Sequence, residues 1–168
     1  MEMIPTISTH REYLEEIFKI KGKVGTILEF GMGDFSSGLL IENGNKVVSI
    51  EMQNKSWYDK ITNNFSDRDN WTGILSLGPH SYRTITLPEK VDLAFVDGHG
   101  KSRFDCINDM MDRNCAIIVA HDTQQPTYHW DRVREEKKYK KVTFKKYSVW
   151  TTMWTTDGEL YDKIKDKK

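Results

Sequence analysis

Five side chains able to move protons or hold cations fall where short apolar runs end. Glu29 lies in "TILEFGMGDFSSGLL" (26–40), Glu51 follows "KVVSI", Asp97 follows "DLAFV", and the pair His121-Asp122 follows "AIIVA". Carboxylates in such places accept hydrogen bonds from hydroxyls or ligate hard cations, and an imidazole transfers protons near neutral pH. Directly after Glu29 come Gly31, Gly33 and Ser36. A sharp turn whose backbone is bared by glycine allows another group to lie close against it. No Lys-Ser or Lys-Thr follows, so this is not the G-x-x-x-x-G-K-[ST] loop that cradles phosphates. The fingerprint G-x-G-x-x-G is met at its first two glycines only, with Ser36 in the third place. Glu51 stands twenty positions after Gly31, where an acid can bind ribose hydroxyls. A ribose-bearing ligand over the ends of the first two strands is the expectation.

The second group lies in "FVDGHGKSR" and "VAHDTQQP". If the two runs before them are neighbouring strands, Asp97, His121 and Asp122 meet at one edge. Two carboxylates with an imidazole could hold Mg²⁺, Mn²⁺ or Ca²⁺. The simpler alternatives are that Asp97 caps the next helix and that His121-Asp122 is a hydrogen-bonded pair shaping its loop. His99 and Lys101 are the nearby candidates for a general base.

The elements that must position these groups alternate. Apolar or β-rich runs at 24–30, 46–51, 71–77, 91–97 and 116–122 are separated by helix-compatible segments at 36–43, 55–65 and 101–111. Several runs are apolar at consecutive positions, which suits strands covered on both faces, and the alternation predicts a doubly wound, Rossmann-like, mostly parallel α/β sheet. Ahead of them, Thr9 and Glu12 have capping-box spacing, with Tyr13, Leu14, Ile17 and Phe18 as a helical stripe that Gly22 ends. His10 and Arg11 at its start are expected as an exposed cap, the alternative being that they reach the mouth of the site. At the other end, 141–150 and 151–156 read as an antiparallel strand pair at the sheet edge, and "YDKIKDKK" as a frayed tail.

Length and composition limit the rest. One hundred and sixty-eight residues suit one domain, and 25 basic against 25 acidic residues give no global pull toward nucleic acid or an acidic membrane. Cys106 and Cys115 form no C-x-x-C pair, so reduced thiols in a cytoplasmic setting are expected. The first residues lack the features of a signal peptide, and no apolar run is long enough to span a bilayer. Arg132–Lys146 carries eight basic residues against two acids, with Tyr139 and Phe144 interleaved. A solvated helix followed by a charged edge strand explains this stretch without a nucleic-acid partner. Tyr128, His129 and Trp130 lie in the loop after the fifth run, either at a substrate entrance or as cover for the core.

Glu29-x-Gly31-x-Gly33-x-x-Ser36, the acid Glu51 closing strand two, and "DLAFVDG" together resemble the class I S-adenosylmethionine-dependent methyltransferases over most of the chain. That resemblance implies a seven-stranded sheet, with Glu29 near the methionine end of the cofactor, Gly31 and Gly33 beneath it, and Glu51 on its ribose. It also implies adenine contacts after strand three. Relatives often carry an acid there, whereas this chain has "GPHSY", leaving His80, Ser81 or backbone groups. The set Asp97, His121 and Asp122 is similar to that of metal-dependent O-methyltransferases of the catechol and macrolide-sugar types, although Lys101 follows Asp97 by four positions rather than three. The implied activity is methyl transfer to a hydroxyl of a small molecule or sugar, with a divalent metal assisting. A non-methylating lyase or hydrolase on the same cofactor and a non-catalytic binding module are the alternatives, and a nicotinamide oxidoreductase ranks behind them. The short chain leaves room for a homo-oligomeric interface to complete the pocket.

Overall fold

The computed structural model describes residues 10–146 and 148–167. Strands β1 (Val24–Phe30), β2 (Gly44–Glu51), β3 (Trp71–Leu75), β4 (Leu93–Val96), β5 (Ile117–His121), β6 (Lys140–Phe144) and β7 (Thr151–Thr155) form one sheet. Their order is β3-β2-β1-β4-β5-β7-β6. The first five strands are parallel, and β7 runs antiparallel to both β5 and β6. The order reverses between β1 and β4, where an open α/β sheet leaves a crevice beyond its strand ends.

Helices α1 (Arg11–Lys21), α2 (Ser37–Asn43), α3 (Lys55–Phe65), α4 (Arg103–Asp112) and α5 (Gly158–Ile164) cover the sheet. The consecutive apolar residues of the central strands follow from this double cover. Ile27, Val47, Leu93 and Phe95 pack with Leu14 and Ile17 of α1 and with Leu160 and Ile164 of α5. Leu28, Ile50, Ala94 and Val96 pack on the other side with Ile107 and Met110 of α4. Burying each large aliphatic or aromatic side chain contributes about 1.5–3 kcal/mol, so the sheet register is strongly specified. The Gly31 amide donates to the Ile50 carbonyl at 2.8 Å, and the Asp97 amide to the Phe30 carbonyl at 2.8 Å. These bonds tie the residues beyond β1, β2 and β4 into one rim.

Three expectations are corrected. The tail "YDKIKDKK" does not fray at its start. Tyr161–Ile164 closes α5, which Asp157 caps by accepting from the Leu160 amide at 2.9 Å, while Leu160 and Ile164 are fully buried. The basic stretch holds no solvated helix. After 3-10 turns at Pro126–Tyr128 and Trp130–Arg132 the chain is irregular until β6. The Arg134 amide donates to Asn108 Oδ1 and the Tyr139 hydroxyl donates to the Cys115 carbonyl, which pins an otherwise polar segment to the body. His10 is not an exposed cap: it is buried at 3 % exposure, because α1 docks its first turn against β4 and β5. Thr9, the other half of the expected capping box, lies outside the described residues.

Cys106 and Cys115 are buried free thiols. Among the described residues no helix is long and apolar enough to cross a membrane.

Candidate active site

The turn after β1 is built around Glu29. Its side chain is fully buried, and the hydroxyls of Ser36 and Ser37 donate to its two oxygens at 2.6 and 2.8 Å. Ser37 Oγ also accepts from the Gly33 amide at 3.1 Å, so the carboxyl group fixes the glycine turn through the start of α2. Burial pushes the Glu29 carboxyl up to about 7, against the opposing hydrogen bonds of Ser36, Ser49 and Ser37. Gly31 has φ +90°, and a Cβ there would lie 2.6 Å from the Asp97 carbonyl oxygen and from Gly98 Cα. The residue must therefore be glycine for a tertiary reason, the close passage of the chain leaving β4, as well as for its backbone angle.

Glu51 is buried at the end of β2 and collects three amides. Gln53 and Asn54 donate to Oε1 at 2.8 and 2.9 Å, and Met32 donates to Oε2 at a longer 3.3 Å. Oε2 keeps capacity for a further hydroxyl. Trp57 on α3 donates to the Met32 carbonyl at 2.7 Å and braces the same turn. His80 and Ser81 lie after β3. The Ser81 hydroxyl is engaged by the carbonyls of Ser76 and Gly78, and His80 faces Asp105 of α4 at 3.6 Å.

The second group does converge, around a residue the motifs did not reveal. Arg103, at the first position of α4, is buried, and its guanidinium binds Asp97 Oδ1 at 2.9 Å and Asp122 Oδ2 at 3.4 Å. It also donates to the carbonyls of Gly98, His121 and Asp97 at 3.0, 2.9 and 3.2 Å. The Tyr128 ring stacks over it at 4.5 Å and leaves no room for a side chain at Gly100, whose Cβ would lie 2.5 Å from that ring. His121 Nδ1 is 3.4 Å from Asp97 Oδ1 and 3.8 Å from Asp122 Oδ2. Burial alone would raise the Asp97 pKa, but the His121 hydrogen bond and the Arg103 charge outweigh it and hold the carboxylate below its ordinary value. Asp122 takes a left-handed backbone, φ 59°, which aspartate tolerates better than most residues.

His99 and Lys101 sit in the 3-10 turn between β4 and α4, where His99 Nδ1 accepts the Lys101 amide at 3.3 Å. Burial lowers the His99 pKa, with Lys101 adding to the shift. His10 completes the inner wall, its ring edge-on to His121 at 4.5 Å and tilted on Phe95 at 5.0 Å. Burial, then the neighbouring His121, lowers its pKa to about 4.

The two groups open onto one cleft of about 300 Å³, lined by Asp34 and Phe35 from the glycine turn, Trp57, Asp97, His121, Asp122 and Val149. A roomier depression of about 850 Å³ lies away from this rim, where Arg134, Glu135, Glu136 and Lys137 border Trp130 and Trp154. It gathers no convergent acid–imidazole set.

The donor chemistry does not fit a Mg²⁺ site. Hard cations take carboxylate, carbonyl and water oxygens, whereas one of the three expected ligands here is an imidazole. On the other side of the cleft stand the glycine turn held by Glu29 and a Glu51 Oε2 whose hydrogen bond, to the Met32 amide, is long at 3.3 Å.

Arg103 had one signal in the sequence. A cation in the first turn of a helix opposes the helix dipole and calls for carboxylate partners. For His10 the sequence offered only its place at the start of the first helix, since its ring neighbours Phe95 and His121 are more than eighty positions away.

No protein-family model matches the sequence, and no curated protein matches it. Solved structures match its fold. An O-methyltransferase of Bacillus cereus in complex with SAH superposes with TM-score 0.70 at 14% identity, covering 92% of this chain and 82% of that one. An rRNA methylase of Streptococcus thermophilus gives 0.65 at 14% identity over 92% and 98% of the chains. The N-methyltransferase NodS of Bradyrhizobium japonicum gives 0.59 at 13% identity over 92% and 98%. The chain therefore has the class I S-adenosylmethionine-dependent methyltransferase fold. Neighbours acting on oxygen, nitrogen and RNA share that fold, so the fold leaves the acceptor open.

Proposed function

We propose that this protein transfers the methyl group of S-adenosylmethionine to a hydroxyl of a small molecule or sugar. The observation that carries the reading is the single cleft on which the glycine turn and the Asp97–His121–Asp122 group both open, at the switch point of the sheet. In this reading the cofactor lies over Gly31 and Gly33, with Glu51 accepting a ribose hydroxyl, and with His80 and Ser81 beside the adenine. Glu29 and Ser36 act by holding the turn, since their polar atoms are spent on each other. S-adenosylmethionine supplies an electrophilic methyl on sulfur, and the chain supplies alignment.

Asp97, kept anionic by Arg103 and His121, accepts the hydrogen bond of the acceptor hydroxyl and orients its lone pair. His121 relays the released proton from the carboxylate toward the cleft. His99 and Lys101, in the 3-10 turn that follows Asp97, would affect acceptor affinity before chemistry. The narrow cleft and its compact acid–imidazole floor favour a small acceptor over a polymer.

Calorimetric titration with S-adenosylmethionine, S-adenosylhomocysteine and NAD, each with Mg²⁺ or a chelator, tests the cofactor first. Binding of the two sulfur nucleotides alone, indifferent to the chelation of Mg²⁺, is the expected result. Binding of NAD alone, or of none, would remove the reading. Product analysis by mass spectrometry then separates methyl transfer from cofactor cleavage.

A further inference from the structure

We propose that His10, Asp97 and His121 form a binding site for a divalent transition cation of the zinc class. One donor atom from each residue lies within 4.8 Å of the other two. The set comprises two imidazoles and one carboxylate, which suits zinc and its first-row neighbours rather than magnesium or calcium. It differs from the expected set, Asp97, His121 and Asp122, in drawing a ligand from the N-cap of α1.

His10 is the independent observation. It is 97% withdrawn from solvent, yet neither ring nitrogen has a hydrogen-bond partner among the described residues. A buried polar atom without a partner costs about 1–3 kcal/mol, a burden the fold has no reason to carry unless something else uses the lone pair. The ring is not simply filling space. It stands edge-on to His121 at 4.5 Å, beside the Asp97 carboxylate. Zinc–nitrogen bonds of about 2.0–2.1 Å would bring tetrahedral donors to roughly 3.3 Å from one another, a closure that side-chain rotation can make.

The surroundings suit a dication. Asp97 and Asp122 together carry one more charge than the Arg103 between them neutralises. The Arg103 bond to Asp97 Oδ1 is the kind of outer-shell hydrogen bond that orients a ligating carboxylate. Three protein donors leave a coordination position for water or an acceptor oxygen, and Asp97 and His121 both line the cleft. The inference does not need methyl transfer, and a bound cation would take the Asp97 and His121 donors that otherwise orient the acceptor hydroxyl and carry its proton.

The test is titration of metal-stripped protein with Co²⁺, followed by its visible absorption, and competition by Zn²⁺. Wild type should bind one equivalent with tetrahedral or five-coordinate d–d bands that Zn²⁺ displaces. His10→Phe keeps the ring packing and removes the ligand. It should weaken binding by more than about 100-fold, beyond the usual cost of losing an outer-shell partner. His129→Ala, an exposed histidine outside the set, should bind as wild type. Circular dichroism and cooperative thermal unfolding report that His10→Phe is folded, whether or not S-adenosylhomocysteine binds, and so separate this claim from the cofactor claim. If His10→Phe does not fold, a Zn²⁺-dependent rise in the melting temperature of wild type, absent in His121→Phe, stands in its place. Cobalt binding unchanged in His10→Phe, or no binding to wild type at micromolar protein, would overturn the site.

Discussion

Glu29 on β1 and Asp97 just beyond β4 are two acids at the ends of neighbouring strands, and the protein treats them in opposite ways. Glu29 is surrounded by hydroxyls, which are neutral donors, and burial still carries its pKa up to about 7. Asp97 touches a guanidinium and an imidazole, and its pKa goes down although it too is largely removed from water. Neutral hydrogen bonds do not offset the loss of hydration of a charge, whereas a cation in contact does. Of the two acids, Glu29 is therefore set to hold a proton and Asp97 to hold a charge.

The difference between the two acids depends most on Arg103. Arg103→Met removes the cation but keeps much of the volume, leaving Asp97 and Asp122 uncompensated and three carbonyls without their donor. A loss of about 3–5 kcal/mol in chemical denaturation is expected. Arg103→Lys should recover only part of it, because a point charge cannot serve all of these acceptors.

The pH dependence sharpens the contrast. Glu29 ionises near its ordinary 4.5 in the unfolded chain and near 7 when folded. Below 4.5 both states hold the proton. As pH rises from 4.5 to 7 the unfolded state releases it first, so stability falls by roughly 3 kcal/mol and then levels off. Urea unfolding across this range should lose that slope in Glu29→Gln. Asp97 contributes the opposite sense, with stability present above the ordinary carboxylate range and lost as pH falls below it.

A smaller effect tests whether the two halves lean on each other. Gly31→Ala inserts a Cβ at 2.6 Å from the backbone of the Asp97 side and strains a positive φ. We expect a cost of roughly 2 kcal/mol, together with weaker S-adenosylhomocysteine binding in calorimetry. Smallest of all, Ser36→Ala removes one of Glu29's neutral donors and should cost about 1 kcal/mol in thermal unfolding, with the Glu29 slope extended to higher pH.

Much of the architecture was written locally. Leu93–Val96 had to be a strand covered twice, because four consecutive apolar residues cannot face water on either side. Glu29, Gly31, Gly33 and Glu51 stood out because a turn and a strand end impose residue types over a few positions. The α5 helix was missed because Leu160 and Ile164 give only one helical turn of apolar spacing, and their burial depends on α1 and β7.

Local patterns thus fixed the alternation of the five parallel strands with their helices, the acids at the strand ends and the glycine turn, since periodicity, caps and turn chemistry act over short spans. Only the tertiary structure decided what each acid meets. Serines from α2 reach Glu29, a guanidinium from α4 stands between Asp97 and Asp122, and His10 arrives beside His121 from the other end of the chain. The reason is physical: charge state and ligand capacity depend on contacts within a few ångströms in space, and no local pattern encodes those contacts when they join residues so distant in sequence.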